Sequence, residues 1–174
     1  MPDAALTQAL KEAYAAAPSN VVILHTLELR HPNFTQPARV VNDHNDLLAR
    51  LEASAPENPL EYVTFQAFAW QMTLPGIDES ASPEIVLVLD GVSDQIVKQL
   101  ELAKQSQDVI EVTYRPFLST DLSAPAMNPP LTLVMTQVTA DSMRVTARVT
   151  YQDLANRAFP GIDYTAERFP GLIR

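Results

Sequence analysis

Strand-forming segments follow one another along most of this chain, and only one internal stretch carries a helical period. That order constrains the fold more than any other feature. Residues 21–32 (VVILHTLELRHP), 39–42 (RVVN), 61–74 (EYVTFQAFAWQMTL), 84–92 (EIVLVLDGV), 108–117 (DVIEVTYRPF), 131–141 and 143–151 are rich in β-branched and aromatic residues. Apolar and polar positions alternate along them, the period of a strand. A doubly wound parallel sheet needs strands and helices in alternation, so these runs argue against one. The expectation is an α+β chain, mainly β, with about seven strands. A β-sandwich or split barrel with one flanking helix fits best.

The details sharpen this. From Leu24 the first strand places Leu24, Thr26, Glu28 and Arg30 on one side and His25, Leu27, Leu29 and His31 on the other. That predicts one buried face after a fully buried start. Residues 47–53 (LLARLEA) fit a helix and a strand equally. Residues 61–74 carry apolar groups on both faces, which suits a central strand or a hairpin bent near Ala67. Ala140-Asp141-Ser142 is the expected turn of a hairpin between 131–141 and 143–151. Ser93 can cap a helix over about 94–106 with Ile96, Val97, Leu100 and Ala103 as its stripe. A second helix is expected over 3–17, capped by Asp3 and striped by Leu6, Leu10 and Tyr14. It could pack on its own domain or dock on a neighbouring subunit.

Composition narrows the function classes. With 174 residues and 47% hydrophobic content, the chain can bury a core as one domain. No apolar run approaches the roughly 20 residues of a membrane-spanning helix, so no span is expected. Met1-Pro2-Asp3-Ala4-Ala5 has no basic n-region, so no secretory signal is expected either. The absence of Cys removes disulfides, thiolate-bound zinc and a Cys nucleophile. A net charge of -9 argues against a dedicated or sequence-specific nucleic-acid binder, which needs clustered Lys and Arg.

The search for chemistry is short. His25 and His31 share a strand parity but stand six residues apart, too far to chelate one ion. His44 sits in Asn42-Asp43-His44-Asn45-Asp46, which lacks the Gly and distal Glu of a calcium loop and reads as a solvated turn. There is no Gly-x-Ser-x-Gly elbow, no singled-out carboxylate pair and no phosphate-cradling loop, since three of the 4 Gly lie in Pro-Gly pairs. The expectation is a protein that is not an enzyme and takes no cofactor and no metal.

The C-terminal stretch is different in kind. Arg157, Phe159, Pro160, Tyr164, Arg168, Phe169 and Pro170 bring large apolar groups with little regular pattern to bury them. Aromatics and Arg are the usual anchors of interfaces, and Phe-Pro pairs give a stiff arm with less entropy to lose on docking. Those seven residues are the expected subunit interface, with packing on the arm's own sheet as the alternative. The expected organisation is an N-terminal helix at 1–19, a β-rich domain at 20–156 and an extended arm at 157–174.

The order of segments resembles a family. The run 10–34 (LKEAYAAAPSNVVILHTLELRHPNF), then VTFQAFAWQMTLPGI, PEIVLVLDGVS, EVTYRPFL, PPLTLVMTQV and RVTARVTYQDLANRAFPGIDYTAERFPGL are similar to uncharacterised tail proteins of long, flexible-tailed phages. Those are encoded near the tape measure and a peptidase-like tail protein. More remotely, the core and the Arg-x-Phe-Pro end resemble the N-terminal part of the lambda-like minor tail protein L, a tail-tip hub component. The iron–sulfur cluster of that larger family needs Cys and is not carried over. The resemblance implies a structural virion protein made in the host cytoplasm. It would be a hub or ring component joining the tail tube and distal tail ring to the central fibre, in a threefold or sixfold homo-oligomer near the tape measure. A distal tail ring protein or a non-virion assembly chaperone are the alternatives. An acidic subunit of this kind could line a DNA channel without gripping the phosphates.

Overall fold

The computed structural model describes residues 6–16, 20–73, 84–90, 100, 102–103, 106, 108–140 and 144–151. The seven arm residues from Arg157 to Pro170 therefore lie outside the described residues, as do Asp3 and most of the expected 94–106 helix. The chain is mainly β, as expected. A helix α1 (Gln8–Ala16) precedes strands β1 (Ile23–Arg30), β2 (Ala38–Val41), β3 (Leu47–Arg50), β4 (Tyr62–Ala67), β5 (Ala69–Thr73), β6 (Glu84–Asp90), β7 (Ile110–Leu118), β8 (Leu131–Ala140) and β9 (Arg144–Tyr151). All nine strands join one sheet in the order β3-β4-β2-β1-β7-β8-β9-β6-β5. It is open, not closed into a barrel, with β3 and β5 as its edges.

One connection dictates the shape. β4 is second in the sheet and β5 is ninth, yet only Phe68 separates them in the chain. In a flat sheet those strands would stand about 33 Å apart at 4.7–4.9 Å per step. One residue cannot span that, so the sheet must roll until its edges approach. The ring centroids of His25 on β1 and Trp70 on β5 lie 6.4 Å apart, consistent with the roll. The 61–74 segment is thus neither a central strand nor a hairpin. It runs parallel to β2, with Val40 opposite Gln66 and Phe68 N–H donating to Val41 O. It then crosses to pair antiparallel with β6 on the far side.

The roll gives the sheet two different faces. Leu27 and Leu29 of β1 meet Val112 and Tyr114 of β7, Leu133 of β8, Val145 and Val149 of β9, Leu87 of β6 and Trp70 of β5 in the main apolar core. Leu100 and Ala103, two stripe residues of the expected internal helix, pack into the same core. The opposite face of β1, β2 and β7 is covered by β3, β4 and the loop after β3. There Leu24, Val41, Leu47, Ala49, Val63, Phe65 and Phe117 form a second, smaller core. The expectation of one buried face for β1 is therefore corrected: Thr26, Leu27, Glu28 and Leu29 are all buried. Residues 47–50 are strand, because only a strand edge can cover this second face while pairing with β4.

The N-terminal helix packs on its own domain. Leu10 and Ala13 contact Leu118 and Ala126, with Leu6 and Ile23 beside them. Tyr14, expected in the buried stripe, is 58% exposed, since the helix turns Ala13 inward instead. Thr7 acts as the N-cap: Leu10 N–H donates to its Oγ1 at 3.3 Å and Lys11 N–H to its carbonyl at 3.1 Å. β8 and β9 pair antiparallel as expected, with Ala140 opposite Val145 and an extra residue near Thr136, while Asp141 and Ser142 of the expected turn lie outside the described residues.

Candidate functional site

Three places on this frame hold unusual groups. The first is a charge cluster inside the second face. Cross-strand register sets Glu28 of β1 opposite Arg39 of β2, and Arg30 opposite Glu111 of β7. Arg39 Nε donates to Glu28 Oε2 at 2.7 Å and Arg30 donates to Glu111 at 2.6 Å. Arg115 lies on the same face of β7. Its Nε and a terminal nitrogen form a fork on the Glu52 carboxylate at 2.8–3.1 Å. Its other terminal nitrogen lies 3.3 Å from Glu28 Oε1. Arg115 and Glu28 are completely buried, and Glu52 nearly so. Three Arg and three Glu balance, so the face holds ions without net charge. Each charge lies against an opposite one, although Glu28 Oε1, Arg30 Nε and one Arg115 terminal nitrogen make no hydrogen bond.

The second place is a cleft at the mouth of the roll, where the edge strand β5 stops short of β1. It has a volume of about 510 Å³ and is lined by Tyr14, His25, Asn42, Trp70, Gln71, Met72 and Tyr114. None of these carries a full charge at neutral pH. His25 Nδ1 lies 2.7 Å from the Tyr114 hydroxyl, and the two rings stack 6.0 Å apart. Burial pulls the His25 pKa below its usual value. Burial pushes the Tyr114 phenol up, and the Tyr14 phenol adds to this through its charge and its hydrogen bond. Both groups are therefore neutral at pH 7. Trp70 is 5% exposed and its Nε1 has no hydrogen-bond partner. A buried indole N–H without an acceptor is uncommon.

The third place is the outer face of the β3–β4 edge. Leu48, Leu60 and Tyr62 are each more than half exposed there. Arg50 stands opposite Tyr62 and its Nε donates to Leu60 O at 2.8 Å. Leu60 has φ 61, a left-handed conformation that costs a residue with a Cβ roughly 1–2 kcal/mol. The loop holds it there: Glu61 N–H donates to Asn58 O, and Asn58 Nδ2 to Glu61 Oε2 at 2.7 Å.

The remaining sequence candidates are placed simply. Residues 42–46 are an exposed bend between β2 and β3, where Asp43 accepts from His44 N–H and Asp46 accepts from Ala67 N–H. His31 accepts from Asn33 N–H through Nδ1, so Nε2 donates to Asp108 O at 3.2 Å. A second cleft, about 460 Å³, is lined by Arg30, His31, Phe34, Glu57, Asp108 and Glu111. Among the described residues no group of three His, Asp or Glu could hold a metal, and no helix is long and apolar enough to cross a membrane. Sequence reasoning missed Arg115, Glu52 and Trp70. The one signal available was Arg115 standing next to Pro116 and Phe117 in the apolar second half of β7.

A family model described as a domain of unknown function, DUF1833, matches residues 9–164. The match covers most of the chain, which belongs to that family. No curated protein is similar enough to count as a relative.

Proposed function

We propose that this protein is a structural subunit of a phage tail tip and not an enzyme. In this reading it is a hub or ring component between the tail tube with its distal ring and the central fibre, lining the DNA channel in threefold or sixfold copies. The observation that carries the reading is the outer β3–β4 face, where a strained Leu60 is held outward beside Leu48 and Tyr62. Exposed apolar groups maintained at a cost in backbone strain suit a surface made to be covered. A ring built head to tail also needs two unlike surfaces per subunit. The cleft beside β5, at the opposite edge of the sheet, supplies a second one of different chemistry. The phage resemblance of the sequence supplies the setting, and the net charge of -9 suits a wall that DNA must slide past.

Mass spectrometry of finished particles from a phage carrying this gene tests the reading. The expected result is the protein in purified tails at a multiple of three copies. Absence from finished particles, with presence in assembly intermediates, would instead make it an assembly chaperone. Deleting 157–174 should leave the domain folded and abolish tip assembly; complete tails built by the truncated chain would remove the arm from the account.

A further inference from the structure

We infer that the cleft beside β5 seats a Phe-Pro segment from the C-terminal stretch of a second copy of this chain. The inference rests on the intersubunit role proposed for residues 157–174 and adds the surface that receives them. The cleft matches such a segment in two ways. Its walls are Tyr14, His25, Trp70 and Tyr114, and aromatic-lined grooves are what proline-containing extended peptides dock into. Its lining is uncharged, and the stretch is neutral too: Asp153, Asp163 and Glu167 cancel Arg157, Arg168 and Arg174. All of the -9 therefore belongs to residues 1–151. An acidic stretch would be repelled by such a body; this one is not.

The strand directions favour a second copy over the same one. β9 runs alongside β6 in the direction of β5, and Thr73 at the end of β5 is level with Arg148 through Val86. Tyr151 thus lies three residues past that level, and farther still from the level of Trp70 in the cleft. The first glycine after it that would ease a reversal is Gly161. A donor stretch leaving one subunit and an acceptor cleft on the next make the contact head to tail, the kind that closes into a ring.

Trp70 is the only tryptophan in the chain, so its emission reports on the cleft directly. The test uses the full-length chain carrying Phe159→Ala and Phe169→Ala, titrated with a synthetic peptide of residues 157–172. The expected result is a saturable shift of Trp70 emission. Peptide with both Phe replaced by Ala, or a full-length acceptor carrying Tyr14→Ala at its exposed ring, should bind at least about tenfold more weakly, the usual loss for an aromatic anchor. In the unaltered chain the emission should change on dilution together with the sedimentation coefficient. No response to the peptide overturns the inference. An emission that depends on Phe159 and Phe169 but not on dilution also overturns it, because the segment would then sit in its own subunit. Particles that contain the protein while the peptide leaves Trp70 unmoved would leave the tail-tip reading standing and remove this one alone.

Discussion

The two faces of the β1–β2–β7 region solve the same problem with opposite materials. Toward the roll, Leu27, Leu29, Val112 and Tyr114 bury apolar surface, each adding stability in proportion to its area. On the other side Glu28, Arg39, Arg115 and Glu52 bury ions against one another. The apolar face tolerates error, since a smaller side chain leaves only a cavity. The charged face does not, since removing one ion strands its partner out of reach of water. Ion pairs of this kind contribute less net stability than an apolar core and more discrimination against wrong pairings. Here only the native register brings Glu28 opposite Arg39 and Arg30 opposite Glu111 together.

That contrast can be broken. Arg115→Met should lower stability by about 3–5 kcal/mol, read as a shift in the urea midpoint, because Glu28 and Glu52 lose a fully buried partner. Adding Glu52→Leu should return most of the loss, since Glu28 keeps Arg39 and Arg30. Losses that simply added would show that the charged face is held by packing alone.

A smaller effect should mark the apolar face. His25 is neutral and faces Tyr114, Tyr14 and Trp70. Its folded pKa lies below the usual 6.5, so the unfolded chain takes up the proton first as the pH falls. Stability should be level above about pH 6.5 and decline below it until the folded His25 also titrates. His25→Gln should flatten that decline relative to the unaltered chain; an identical pH profile would mean that His25 is not desolvated.

The smallest effect belongs to the surface. Arg144 on β9 and Asp90 on β6 are paired across strands at 2.6 Å, with side chains 63% and 42% exposed. Asp90→Ala should change stability by no more than about 1 kcal/mol, and by less in high salt. A loss comparable to that of Arg115→Met would erase the distinction between buried and exposed pairs.

The apolar face was legible in the sequence and the charged one was not. Alternation in 24–31 placed Leu27 and Leu29 inward correctly, because the hydrophobic effect acts on each residue by itself. The same alternation assigned Glu28 and Arg30 to solvent. The burial of Glu28 depends on Arg115, 87 residues away, and that of Arg115 on Glu52; pairing at that distance leaves no local period. The 131–151 hairpin was readable because its partners are adjacent. The division of 62–73 into β4 and β5 was not, since the two halves pair near opposite ends of the strand order, β4 with β3 and β2 and β5 with β6. In α1, Leu10 was placed correctly and Tyr14 was not: it lines the cleft beside Tyr114 and stays mostly in solvent. The proposed interface residues from Arg157 to Pro170 rest on composition alone.

Because Phe68 ties the two margins of the sheet together, the order of synthesis becomes a constraint on folding. As the chain emerges, β1 can find β2, and β3 can find β4, but β1 waits for β7 and β6 waits for β9. The segment 62–73 is thus made early and finished late, with one half docked and the other carrying Trp70 beside an unfilled place in the sheet. Long-range pairings of this sort slow maturation and leave sticky edges open on the ribosome. A cell making many copies at once would do best to keep nascent chains apart until Tyr151 has been added.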